Sequence, residues 1–355
     1  MAQPNTHATG RKSVPLRLAL VGALIFALAA PAYYVLAHWP QCGGSYPASA
    51  FEVPQGASLN QIASELERRG VIESRLLFSL YARLFGLDRG LQAGNYQLPA
   101  NLSAADLLAF LSSGQVEQHA IRLPEGLNMR TVMALLADET VLSHKSAGLE
   151  GLADELDLQL PFVEGAFFPE TYFVPQGASD LSVLQRAHDA MIGHLMSAWQ
   201  NRGPNLGLDS PEQALVLASI IEKESDGLSD RAQISQVFHL RLKKNMKLQT
   251  DPTVIYALGE RFDGDIRRRD LRIDSPFNTY RYRGLPPTPI ALPSLASIEA
   301  ALHPAEGDYL YFVARGDGSS QFSRTLQEHN AAARRHHPPN GPSSPAAPFH
   351  RPPLP

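Results

Sequence analysis

The 355-residue chain has little sulfur, little surplus charge and few aromatic rings. Its one cysteine, Cys42, excludes an intrachain disulfide framework and any zinc site built on cysteines. The surrounding "WPQCGG" is not the small-residue context of a lipoprotein cleavage site. The formal net charge is -4 and no basic stripe stands out, which argues against nucleic acid as a partner. Charge is missing altogether from residues 18–37, "LALVGALIFALAAPAYYVLA". That length suffices for a helix to cross a bilayer core, and it exceeds the apolar part of a cleavable signal peptide. An uncleaved transmembrane helix is therefore expected. Arg11, Lys12 and Arg17 precede it, and no Lys or Arg follows before Arg68. The positive-inside rule then puts the tail 1–17 in the cytoplasm and the rest of the chain outside. Tyr33, Tyr34 and Trp39 suit the outer interface.

Composition marks a linker over 38–50 and a Pro-rich tail over 336–355, "HHPPNGPSSPAAPFHRPPLP", that carries no periodicity. Between them one device recurs: a short strand, Pro-x-Gly, then an amphipathic helix. It appears in "FEVPQGASLNQIASELERRG", "IRLPEGLNMRTVMALLAD" and "YFVPQGASDLSVLQRAHDAM". The Pro stops the strand and the Gly permits a tight turn, with Ser58, Asn128 and Ser179 placed to cap the helices. The first unit continues as helix, strand around 94–98 and another short helix. Its opening resembles a LysM-type module, a small glycan-binding fold, and a LysM-like subdomain is expected over 51–120. A purely structural spacer fits the same pattern. Residues 121–160 read as a connecting segment. The whole reads as α+β.

The stretch "ALVLASIIEKES" (214–225) runs apolar for eight residues and then delivers Glu222, Lys223 and Glu224 with no turn between. On a helix Glu222 shares a face with Leu215, Ala218 and Ser219. Glu224 lies about 200° around the axis from Glu222, so the two carboxylates cannot form a tight pair on one face. One acid is left to solvent or to cationic partners and the other to an apolar floor. A carboxyl on such a floor keeps its proton nearer neutral pH, as a general acid requires. A charged helix end with a salt bridge fits the same residues.

Further blocks surround this stretch: "EGAFFPETYFVPQG" before it, then "MKLQTDPTVIYALG", "SPFNTYRYRGLPPTPIALP" and "HPAEGDYLYFVARGDGSSQFSRTLQEHNAA". Together with "LASIIEKES" they resemble the endolytic murein transglycosylase, or YceG-like, family. The resemblance implies a mixed α+β catalytic domain over 161–335 in a membrane-anchored enzyme. Such an enzyme cuts nascent peptidoglycan strands at the β-1,4 bond between N-acetylmuramic acid and N-acetylglucosamine and leaves a 1,6-anhydromuramoyl end. The first Glu of the "EKE" block, here Glu222, is implied as the catalytic acid. It also implies the cytoplasmic (inner) membrane as location, a periplasmic catalytic domain, and synthases and transpeptidases of the wall as partners. No cofactor or metal is expected. A hydrolytic muramidase and a non-catalytic glycan-binding scaffold are the alternatives.

Gln249, Asn278 and Tyr280 fall in matching blocks and, with Glu170 and Glu224, are candidate substrate contacts, since sugar sites use amides, acids and flat rings. Three of them have a plain structural reading as well: an Asx-turn for Asn278, packing for Tyr280, a turn for Glu170. Asp251, just before Pro252, is expected to cap the helix "PTVIYALG". Glu164 opens its block without an assigned role. "GLPPTPI" (284–290) reads as a stiff loop edging the cleft. Glu328, His329 and Asn330 fan apart on a helix and read as structural. Ser320 stands where many family members carry histidine.

Overall fold

The computed structural model describes residues 23, 26, 27, 29, 30, 33, 37–42, 45–54, 56–225 and 230–336. Most of the expected membrane segment 18–37 lies outside the described residues, as does the Pro-rich tail after His336. Among the described residues no helix is long and apolar enough to cross a membrane. The chain divides into two compact units, Met1–Gln118 with Pro175–Gly177, and His119–Val174 with Ala178–Pro355.

In the first unit strand β1 (Ser49–Val53) pairs antiparallel with β2 (Gly94–Leu98), placing Phe51 opposite Tyr96. Alternation sends Phe51 and Val53 inward and Glu52 outward. Helices α1 (Leu59–Arg68) and α2 (Arg75–Leu84) lie between the strands in sequence, and α3 (Ala104–Ser112) follows. The start of α1 is fixed by a reciprocal capping box: the Gln61 backbone N–H donates to Ser58 Oγ, and the Ser58 N–H donates to Gln61 Oε1. The wholly buried Tyr96 ring satisfies its hydroxyl on the Gln92 and Leu111 carbonyls, at 2.7 and 3.0 Å.

The second unit begins at His119, within β3 (Gln118–Arg122), which pairs with β4 (Thr171–Pro175). Helices α4 (Met129–Asp138) and α5 (Leu152–Glu155) lie between them. Residues 121–160 are not a bare connector here: Ile121, Leu123, Met129, Val132, Leu136 and Leu152 sit in the main core. Asn128 and Ser179 cap α4 and the long α6 (Asp180–Gln200). Next come α7 (Pro211–Glu224), α8 (Arg231–Lys243), α9 (Asp251–Leu258) and α10 (Leu295–Leu302). An antiparallel pair, β5 (Tyr311–Ala314) with β6 (Ser320–Ser323), packs under α11 (Leu326–His336).

The apolar run of α7 is explained by its neighbours. It packs against α6, α8, α9 and α10, which close its middle turns from water. Ala214 to Ile221 are all buried. Each buried Leu or Ile contributes roughly 1.5–3 kcal/mol. Ser210 and Pro211 start the helix at its first turn.

Candidate active site

The last turn of α7 delivers Glu222 beneath the surface, with its side chain 5% exposed. Its Oε1 lies 3.2 Å from the Arg231 guanidinium, at the first residue of α8. Its Oε2 accepts from the Ser294 backbone N–H at 2.9 Å and from the Ser294 hydroxyl at 2.5 Å. The same hydroxyl accepts from the Ser297 N–H and so caps α10. Glu222 is thus not the acid left on an apolar floor: three donors from two helix starts hold its carboxylate, as in the salt-bridged helix end that the same residues allowed. Arg231 in turn lines a cavity of about 520 Å³ with His194, Asn201, Leu295, Glu299 and His303.

Lys223 turns to another cleft, of about 500 Å³, where its ammonium donates to the Gly126 carbonyl at 3.1 Å. Glu164 lines that cleft. Its Oε1 accepts from the Met129 N–H, at the first turn of α4, at 2.9 Å, and its Oε2 from the Tyr256 hydroxyl at 3.0 Å. Burial outweighs these donors and pushes its carboxyl up to about 7. The adjacent Gly165 has φ 73°, and a β-carbon there would come within 2.5 Å of Pro289. Only glycine lets the proline loop close this tightly over the acid. Ile290, from that loop, lines the cleft and is tied to α7 by its N–H on the Ser219 hydroxyl at 3.0 Å.

Glu224 faces a third environment. It accepts from the Thr250 hydroxyl and lies in a buried polar cluster with Asp251, Tyr280 and Arg241. Asp251 does not cap α9 by its side chain. The cap position is Thr250, and Asp251 Oδ1 instead accepts from the Tyr280 hydroxyl at 2.5 Å. Burial, then the Asp251 charge, raises the Tyr280 pKa. Arg241 spends its guanidinium on the Leu248 and Leu310 carbonyls, both at 2.7 Å. Asn278 is wholly buried. Its amide donates to the Leu271 and Ile273 carbonyls and accepts from the Tyr280 N–H, which leaves it a turn builder rather than a surface that sugar can touch. Glu224 is likewise closed from solvent at 5% exposure, and Tyr280 is at 8%. Gln249 is half-buried with φ 53°, and its N–H is held by the Thr279 carbonyl. Glu170 is exposed at the start of β4 and accepts from the Thr171 N–H.

The structure thus joins Glu224, Tyr280 and Asn278 in one buried cluster, gives Glu222 different partners, and leaves Glu170 outside both. Arg231 and Ser294 were missed as partners of Glu222. The sequence signal for Ser294 was its place before "LASIEAAL", where an N-cap belongs. Ser320 gives its N–H to Asp230. Glu328 accepts from the Arg324 N–H and His329 stacks on Tyr311, so both serve structure. Among the described residues no group of three His, Cys, Asp or Glu side chains is placed to hold a metal ion.

Fold and geometry together define an α+β protein with a buried carboxylate, braced by arginine and serine, at the end of an apolar helix. The chain belongs to the YceG-like family, which it matches over residues 51–335. It is 38% identical over 305 residues to the endolytic murein transglycosylase of Bacillus subtilis strain 168, covering 80% of this chain and 83% of that protein. It is 28% identical over 320 residues to the protein of the same name from Streptococcus pneumoniae serotype 2 strain D39, covering 80% of this chain and 57% of that one. The crystal structure of a yceG-like protein from Listeria monocytogenes superposes with a TM-score of 0.50 at 30% identity, over 80% of this chain and 98% of that one.

Proposed function

We propose that the chain is an endolytic murein transglycosylase, a lyase that opens glycosidic bonds inside peptidoglycan strands. Kinship over most of the chain supports the activity, and one observation carries the mechanism: Glu222 is held at a helix end by Ser294 and Arg231, while Glu224 accepts from Thr250. A single carboxyl then serves twice. In the glycan complex the substrate takes the place of Arg231 at Oε1, and Glu222, protonated on that oxygen, gives its proton to the glycosidic oxygen as the bond to the muramic C1 breaks. The carboxylate left behind takes the proton from the C6 hydroxyl as that oxygen bonds to C1. The strand is cut, the new end is a 1,6-anhydro ring, and the carboxyl regains its proton without water entering. Ordinary glycosidases need two carboxylates at a set separation. Here Ser294 aims one oxygen while Arg231, on the rim of a cavity, leaves the other free to exchange its partner for substrate.

Residues 18–37 serve in this reading as an anchor in the cytoplasmic membrane, with both units outside. The β-α-α-β order of the first unit suits a LysM-like glycan holder. The wall synthases and transpeptidases that supply nascent strands are the fitting partners. The test is Glu222→Gln in the purified full chain, with muropeptides released from peptidoglycan identified by mass spectrometry. Gln keeps the shape but has no acidic proton, so anhydromuramoyl products should fall by about 100-fold or more with circular dichroism unchanged. Undiminished cleavage by the variant would remove Glu222 from the mechanism. Products with reducing ends from the unaltered protein would make the enzyme a hydrolytic muramidase.

A further inference from the structure

The first unit carries an apolar face that none of its described residues covers. On α2 the inner side is closed by Phe78, Ser79 and Ala82. On the outer side Leu76 is 75% exposed, Leu80 46% and Leu84 59%, and Phe85, just past the helix, 56%. The three leucines recur every fourth residue and so form one stripe. The helix "RLLFSLYARL" holds no acid; of its two exposed arginines Arg75 pairs with Glu67 of α1 at 3.8 Å and Arg83 donates to the Asn60 amide oxygen at 3.1 Å. Four large apolar side chains gathered on one short element are a contact surface rather than scattered exposure.

The path of the chain says what the contact is. The uncharged segment 18–37 ends two residues before Trp39. Trp39 is buried in the first unit, with its ring 5.9 Å from that of Tyr81 on this same helix. Tyr81 lies 4.5 Å from Phe85. Two residues span at most about 7 Å. A chain leaving a bilayer at residue 37 therefore meets α2 directly at the membrane surface. Arg83 beside the leucines, whose partner is the neutral Asn60 amide, matches an anionic headgroup, as in helices that lie along an interface.

We propose that α2 lies on the outer leaflet of the membrane, with Leu76, Leu80, Leu84 and Phe85 among the acyl chains and Arg83 at the level of the lipid phosphates. This rests on residues 18–37 being the anchor. The contact fixes the first unit against the bilayer instead of leaving it to swing on a tether.

The full chain with Cys42→Ser and Leu80→Cys, labelled with an environment-sensitive fluorophore, is reconstituted into phosphatidylethanolamine–phosphatidylglycerol vesicles containing brominated lipid. A second chain carries the label at Gln97→Cys, an exposed position on β2 of the same unit. Quenching about twofold or more stronger at position 80 than at 97 is expected, and adding Leu76→Ser and Leu84→Ser should erase the difference. Alkaline carbonate extraction of the same vesicles reads the anchor separately. A chain retained in the vesicles with no quenching at position 80 overturns the docking while leaving the anchor intact. Cross-linking of position 80 to a second copy in that case assigns the stripe to self-association. A chain released by carbonate overturns anchor and docking together.

Discussion

Glu164→Gln is expected to make the second unit more stable in alkali without helping it in acid. Burial raises the Glu164 carboxyl from 4.5 to about 7. The folded protein thus holds this proton more tightly than the unfolded chain does. Stability from the group is fully present below pH 4.5, declines as pH rises toward 7, and is gone above it. The gap of roughly 2.5 pH units corresponds to about 3 kcal/mol. The groups facing the acid are the Met129 N–H and the Tyr256 hydroxyl, with Lys223, Arg130 and Glu260 in the same cleft. A Gln side chain reproduces the protonated acid: its carbonyl accepts from Met129 and its amide can point to the Tyr256 oxygen. Stability of the variant relative to the parent should therefore climb by about 3 kcal/mol between pH 4 and pH 8. The two tryptophans make the assay specific, because Trp39 lies in the first unit and Trp199 in the second. In a Trp39→Phe background, urea unfolding followed by fluorescence reports the second unit alone. A difference between variant and parent that stays flat across this range would refute the argument, as would a variant less stable at pH 8.

Asn278→Ala removes one acceptor and two donors from a buried turn, so chemical denaturation should show a loss of about 2–4 kcal/mol. Gln249→Gly relieves a left-handed backbone at φ 53° but adds freedom to the unfolded chain, and the two effects offset to within about 1 kcal/mol. If its amide meets glycan, KM for isolated strands rises in this variant while the urea midpoint stays put; an unchanged KM removes Gln249 from the substrate contacts.

Local rules were legible in the chain and distant meetings were not. Ser58, Asn128 and Ser179 each bond a backbone N–H three residues on, a distance the pattern itself encodes. Asn278 reaches the N–H two residues on, and its Asx-turn reading was available from "SPFNTY". The Asp-Pro pair at 251–252 pointed equally plainly to a cap, yet there a tertiary partner won: the Tyr280 hydroxyl, 29 residues away, takes the carboxylate. Ser294 comes to Glu222 across 72 residues, and Tyr256 to Glu164 across 92. No periodicity or spacing predicts contacts of that range, because they are set by how α7, α9 and α10 pack.

The charged triplet that ends α7 follows from the same packing. Successive helical residues turn by about 100°, so Glu222, Lys223 and Glu224 leave one buried helix in three directions. Each direction ends in a different partner set: Arg231 with Ser294, the Gly126 carbonyl in the Glu164 cleft, and Thr250 beside Tyr280. A helix walled in by four others has room for charged groups only at its two ends, and the last turn is where this chain leaves the core. Side chains fixed there inherit the rigidity of the apolar run behind them. Rigidity is what a single carboxyl needs if it is to release a proton to one oxygen and recover it from another without changing place. The greasy run and the acid at its end are therefore one arrangement. A substitution that opened a cavity on the face of Glu222, such as Leu215→Ala, would loosen the helix end as well as the core.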